Sequence, residues 1–142
     1  MSIWKQTFTL EGINGLSTGN LGEHLGIHFF AYGHDRIWAS MPVKDHNKQP
    51  MGLLHGGASV ALAETMGSVA STLCIEDMST HSAVGNEINA SHLRSVSKGK
   101  VIACVQPIRI GRRIHVWNIT ISDQRQRKVC VARLSTMIVP VK

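Results

Sequence analysis

Hydrophobic positions change their period along the chain. His115, Trp117, Ile119 and Ile121 recur at every second residue, as do Val129 and Val131, which is the alternation of strands with one face in a core. Apolar and β-branched runs over residues 82–93, 100–109, 113–122 and 128–139 predict four consecutive strands in the second half. Residues 25–32 and 36–43 predict two more, with Gly33-His34-Asp35 as the turn between them, and residues 9–16 predict a short helix. The polar stretch 44–52 contains Pro50 and reads as a loop, and residues 56–75 form the one long helical candidate.

Ten of the seventeen residues from Gly56 to Thr72 are Gly, Ala or Ser, so this helix allows another backbone to approach it closely. Two strands, one long helix and four strands predict an α+β architecture: a six-stranded antiparallel sheet wrapped around a single central helix. An open sheet leaves two edges, and a dimer that continues the sheet would pair one of them.

At 142 residues the chain fits one domain, residues 1–142. Its 43% hydrophobic and 17% charged residues exclude disordered, collagen-like and mucin-like classes. The longest apolar candidate, residues 65–75, lies between Glu64 and Glu76 and falls short of the ~20 residues that span a bilayer. The first seven residues carry one basic side chain and no apolar core, so no membrane association is expected and the cytoplasm is the expected location. Cys74, Cys104 and Cys130 are odd in number and far apart, which predicts reduced thiols. His24 and His28 sit in strand-like surroundings with no HExxH nearby, so no metal is expected.

The net charge of +6 is concentrated. Residues 92–128 hold nine Lys or Arg against Asp123 alone, a balance of +8, and everything else sums to −2. Such a segment suits phosphate, on nucleic acid or on a nucleotide-bearing substrate. Trp117 is its only aromatic residue, which is thin for base stacking, so nucleic acid is not the expected partner.

The densest chemistry runs from Gln49 to Glu64. His55 and Gly56 stand where loop becomes helix, so unpaired N–H groups and the positive end of the helix dipole gather there and would stabilise an oxyanion. Glu64 is the only acid between Asp45 and Glu76, in a stretch of small and apolar residues that predicts burial, and Ser68 and Thr72 follow on the same helix face. Gly57-Ala58-Ser59-Val60-Ala61 is a near miss to the GxSxG nucleophile elbow, but it lacks the final Gly and the preceding strand, so Ser59 is read as a helix residue.

Residues 49–59, the stretch from Ala63-Glu64 to Val69, residues 84–94 and Trp117 together resemble the hotdog-fold acyl-CoA thioesterases. They are most similar to the branch that serves menaquinone synthesis, enterobactin proofreading and phenylacetate metabolism. The resemblance spans almost the whole chain and implies a hotdog fold with no cofactor, hydrolysing an acyl-CoA to acid and coenzyme A. It implies a homodimer with shared active sites, and a dimer of dimers. By position, Glu64 matches the catalytic carboxylate, Gly56 the backbone donor to the thioester oxygen, Gln49 and His55 side chains that polarise the carbonyl, and Ser68 the hydroxyl that assists water or leaving group. Gly85, the segment His92, Leu93, Arg94 and Ser95, and the segment Arg109, Ile110, Gly111, Arg112, Arg113 and Ile114 match those that hold coenzyme A. An aromatic acyl group such as 1,4-dihydroxy-2-naphthoyl is the first expectation, although Met51 and Thr72 depart from the aromatic residues of relatives. Glu64 as general base and Glu64 as nucleophile both fit. Alternatives from other classes are a hotdog dehydratase, for which His46 would have to supply the catalytic imidazole, and a non-catalytic nucleotide binder.

Overall fold

The N-terminal strap in the computed structural model, which describes residues 1–142, is tied down at two places: Ile3 N–H donates to the His34 carbonyl at 2.9 Å and Lys5 N–H to the Leu73 carbonyl at 2.8 Å. Helix α1 (Leu10–Gly15) starts at Thr9, whose side chain accepts from Gly12 N–H at 3.0 Å. A second short helix, α2 (Leu21–Leu25), replaces the start of the strand expected at residue 25. Its cause is local: Asn20 caps the N-terminus by accepting from Gly22 N–H, and Gly26 closes the C-terminus at φ 73°, a conformation that favours glycine. Strand β1 (His28–Tyr32) therefore starts three residues later than predicted, and β2 (Ile37–Pro42) follows.

The long helix α3 (Gly56–Leu73) is capped by His55 and ends at Cys74. Four strands complete the chain: β3 (His81–His92), β4 (Lys100–Ile110), β5 (Ile114–Ser122) and β6 (Lys128–Pro140). All neighbours pair antiparallel in the order β1-β2-β4-β5-β6-β3, which is the expected hotdog arrangement of sheet around helix. The period-two positions face α3: Ile37, Ala39 and Met41 on β2, Val101, Ala103 and Val105 on β4, and Trp117, Ile119 and Ile121 on β5 are all fully buried. Leu62, Ala63, Met66 and Ala70 meet them from the helix.

The small residues let α3 sit low on the sheet. A Cβ added at Gly67 would press into the Leu134 side chain of β6. Gly67→Ala gains helix propensity of about 1 kcal/mol but overpacks a closed core at a cost of about 1–3 kcal/mol. A net loss of stability, read as a lower urea midpoint at unchanged m-value, is expected.

One polar cluster crosses this interface. The buried Ser71 Oγ accepts from Trp117 Nε1–H at 2.6 Å, and it lies 2.6 Å from Thr136 Oγ1 and 3.2 Å from His115 Nδ1. Burial pushes the pKa of His115 below the usual imidazole value, partly opposed by a hydrogen bond to the Gly111 backbone. A neutral ring has one nitrogen able to accept a hydrogen bond from a hydroxyl, and no buried side-chain polar atom in the fold lacks a partner. The three cysteines are free, and burial pushes the Cys74 thiol up to about 12, which makes it inert.

The two sheet edges differ. β1 is five residues long, whereas β3 offers twelve along an exposed edge with a bulge between Gly85 and Glu87. No helix is long and apolar enough to cross a membrane.

Candidate active site

The segment that leads from β2 into α3 is built around Asn47, a buried residue in a 3-10 turn (Asp45–Asn47). Its Nδ2 donates to the Pro42 carbonyl at 2.8 Å, its Oδ1 accepts from Lys44 N–H at 3.0 Å, and its carbonyl accepts from His55 N–H at 2.9 Å. One residue thus fixes both ends of the loop that presents Gln49 and His55, the near end through its side chain and the far end through its backbone carbonyl. Nothing in the sequence marks Asn47 out from the other polar residues around it; its role depends on being buried.

Gln49 occupies a tight turn closed by Gly52 N–H on the Gln49 carbonyl at 2.9 Å, with Gly52 at φ 81°. Its side-chain oxygen accepts from Met51 N–H at 2.5 Å. With the oxygen occupied inward, the carboxamide NH2 is the group left to act on a ligand, and it is a donor.

At the start of α3 the two glycine N–H groups are treated differently. Gly57 N–H donates to His55 Nδ1 at 2.8 Å, so the imidazole serves as the helix cap. Gly56 N–H has no partner in the fold and is the free donor at the positive end of the helix. His92, at the end of β3, covers it: a Cβ on Gly56 would stand 2.9 Å from His92 Nε2. Gln49 and Gly56 open into a cavity of about 610 Å³ whose far wall is His92, Leu93, Arg94 and Ser95. Leu54 N–H donates to the Val96 carbonyl at 2.7 Å, which locks the two loops across it. His55 itself lines a different, smaller cavity with Leu21, Leu25 and His46, on the other flank of the helix.

Glu64 and Ser68 lie further along α3 and share a separate cavity of about 350 Å³ with Ile13, Leu16 and Leu21 of the α1–α2 segment. The expectation that Glu64 is buried is not met in the single chain: Glu64 is exposed, because the sheet-facing positions of α3 are 58, 59, 62, 63, 66, 67, 70 and 71 and Glu64 falls on the outer face. A Cβ on Gly85 would stand 3.4 Å from Glu64 Oε1, so the β3 bulge closes in on the carboxylate. The Thr72 hydroxyl donates to the Ser68 carbonyl at 2.9 Å and is spent on the helix backbone.

The two basic segments are placed at opposite ends of the sheet. The ladder sets His92 against Cys130 and Ile121, and His81 against Pro140 beside Ile114 and Ile110. Over the twelve residues of β3 that separation is roughly 36 Å at about 3.3 Å per residue. Ile110, Gly111, Arg112 and Arg113 line a cavity of about 850 Å³ with Glu76 and His81, and Arg109 and Ile114 frame the same turn. One chain therefore cannot bring both basic segments to one ligand. No three His, Cys, Asp or Glu side chains come together as a metal would require.

The entry to α3 at His55 and Gly56, the outer-face carboxylate and strands β3, β4 and β5 lie within a segment, residues 51–130, that matches the family model described as thioesterase superfamily. The chain belongs to that superfamily. Among its relatives, the 1,4-dihydroxy-2-naphthoyl-CoA hydrolase of Escherichia coli K12 is 48% identical over 136 residues, covering 96% of this chain and 98% of that protein. A proofreading thioesterase of Cronobacter sakazakii is 49% identical over 136 residues, with the same 96% and 98% coverage. The crystal structure of a Q49A mutant thioesterase from Pseudomonas aeruginosa superposes with a TM-score of 0.96 at 46% identity, covering 99% of this chain and all of that one. This thioesterase is accordingly an enzyme that hydrolyses thioesters, and the dehydratase reading gives way to it.

Proposed function

We propose that this thioesterase is a cytoplasmic acyl-CoA hydrolase with a preference for aromatic acyl groups. The observation that carries the reading is the unpartnered Gly56 N–H at the mouth of a cavity that runs from the Gln49 carboxamide to the basic wall at Arg94. A thioester carbonyl seated there receives hydrogen bonds from Gly56 N–H and Gln49 Nε2, and both strengthen as negative charge develops on the oxygen. His55 acts behind them by fixing the first turn of α3. Glu64 either removes a proton from the attacking water or attacks the carbonyl itself, with the Ser68 hydroxyl beside it to hold that water or the departing thiol.

Carbonyl donors and carboxylate belong to different cavities of one chain, so the working site is assembled across a homodimer, and the long β3 edge supplies the surface for it. A two-fold axis across that edge also brings the Arg109–Ile114 turn of one protomer toward the His92–Ser95 segment of its partner. Two such dimers back to back give the tetramer.

The name of the E. coli relative supports 1,4-dihydroxy-2-naphthoyl-CoA, a thioester of menaquinone synthesis, as the first substrate proposed, and the proofreading relative supports testing other aroyl thioesters. A panel of aroyl and aliphatic acyl-CoA thioesters, read by free thiol, tests this. Aroyl-CoA is expected to exceed the aliphatic series about tenfold or more in kcat/KM. Absence of hydrolysis across the panel, or a uniform preference for aliphatic chains, would overturn the substrate class.

A further inference from the structure

The loop before α3 has an order of its own. Lys48 and Leu54 pair as an antiparallel bridge, Gln49 N–H donates to the Leu53 carbonyl at 2.8 Å, and His55 N–H donates to the Asn47 carbonyl at 2.9 Å. Residues 47–55 are therefore a small hairpin, with its turn closed by Gly52 N–H on the Gln49 carbonyl. Gln49 stands on the first arm, and the second arm runs through His55 directly into Gly56. The two carbonyl donors are thus mounted on one unit, and its rungs keep their spacing.

The link between that unit and the sheet is a single buried side chain. Asn47 is 3% exposed, and its carboxamide reaches the Pro42 carbonyl at the end of β2 and the Lys44 N–H that follows. Apart from the Lys48–Asp45 ion pair, whose carboxylate is fully exposed, no other side chain of residues 47–54 bonds outside the hairpin. The second arm has one further tie, Leu54 N–H on the Val96 carbonyl, and it leads to the far side of the cavity rather than to β2. Without the Asn47 carboxamide the hairpin keeps its rungs but loses its root, so Gln49 and Gly56 shift together. The Pro42 carbonyl and Lys44 N–H also lose their partner, which favours that shift because both then turn toward water.

We propose that Asn47 is the positioning residue for the oxyanion donors: its side chain sets where the Gln49 carboxamide and the Gly56 N–H meet the thioester oxygen. The inference rests on the reading above in which these two groups polarise the carbonyl. Displaced donors lose most of what they add as charge develops on the oxygen and little of what they add to the ground state, so the effect falls on kcat rather than KM.

The test uses two variants. Asn47→Leu keeps the bulk and removes both side-chain hydrogen bonds; Asn47→Asp keeps the shape and the acceptor for Lys44 N–H but sets a second oxygen against the Pro42 carbonyl. Kinetics on benzoyl-CoA are joined by infrared difference spectra of benzoyl-CoA, isotopically labelled at the carbonyl carbon, bound to the same variants in a Glu64→Gln background. With Asn47 in place the thioester stretch is expected below its value in solution. Both variants are expected to lower kcat, about 100-fold for Asn47→Leu and less for Asn47→Asp, and to return the stretch toward the solution value. KM and the calorimetric affinity for coenzyme A should change by less than about twofold. Folded variants with wild-type kcat and stretch, whatever their melting temperature, would overturn the assignment, as would a loss carried by KM. If Asn47→Leu does not fold, Asn47→Asp decides by the same two readings. No shift of the stretch even with Asn47 in place would instead remove the donor reading on which the inference rests.

Discussion

Glu64→Ala is expected to lower kcat for thioester hydrolysis by about three orders of magnitude or more while the protein remains folded. The side chain is exposed on the outer face of α3, makes no hydrogen bond or ion pair within the chain, and is replaced by the best helix former. A surface change of this kind alters stability by about 0.5 kcal/mol or less. The chemistry, by contrast, loses the one carboxylate in the Glu64–Ser68 cavity, and a positioned base alone contributes about 10²–10⁴. Glu64→Gln separates charge from shape, and it should be nearly as inactive. Thiol release and thermal denaturation measured on the same preparations check both halves; near wild-type turnover in folded Glu64→Ala protein would remove the mechanism.

Mixed dimers of Gln49→Ala and Glu64→Ala chains should recover about half the wild-type activity, although each homodimer is inactive. The reasoning is geometric. Gly56 and Glu64 are eight residues apart on one helix, roughly 12 Å at about 1.5 Å per residue, whereas both must act within about 3 Å of one thioester. Their cavities are separate and open on different parts of α3. In the proposed homodimer, two antiparallel copies of α3 across a two-fold axis would set the Gln49 and Gly56 end of one against the Glu64 and Ser68 of the other. In a mixed dimer one site is then intact and the other carries both lesions. Purified heterodimers as inactive as their parents would place the whole site within one chain.

The sequence exposes those parts of the molecule whose signal is periodic or chemical. Alternation at Trp117, Ile119 and Ile121 marks β5, and the Gly, Ala and Ser density after His55 marks a helix packed low on a sheet; both hold in the structure. The first 27 residues are less legible, because α2 is one turn long and depends on the Asn20 and Gly26 caps rather than on a hydrophobic stripe. Gln49, Gly56, Glu64 and Ser68 stand out by residue type, and the eight residues between Gly56 and Glu64 already separate them along the helix; which cavity each opens into follows from the way the helix faces the sheet. By residue type alone Gly56 and Gly57 are equivalent as donors, and only the resemblance singles out Gly56; the His55 Nδ1 contact shows that the Gly57 N–H is the one taken up by the cap.

The contact between Gly67 and Leu134 has a consequence for how this scaffold can change its substrate. With α3 resting directly on β6, the inner face has no slack to yield, and any enlargement there is a defect in the core. In the proposed site, room for a different acyl group comes from the outer face of α3 around the fixed Glu64 and Ser68, at positions such as 60, 65, 69 and 72, and from the short α1–α2 segment that covers it. Stability and substrate choice are thereby assigned to opposite sides of one helix, and a lineage can revise the second by single substitutions without disturbing the first.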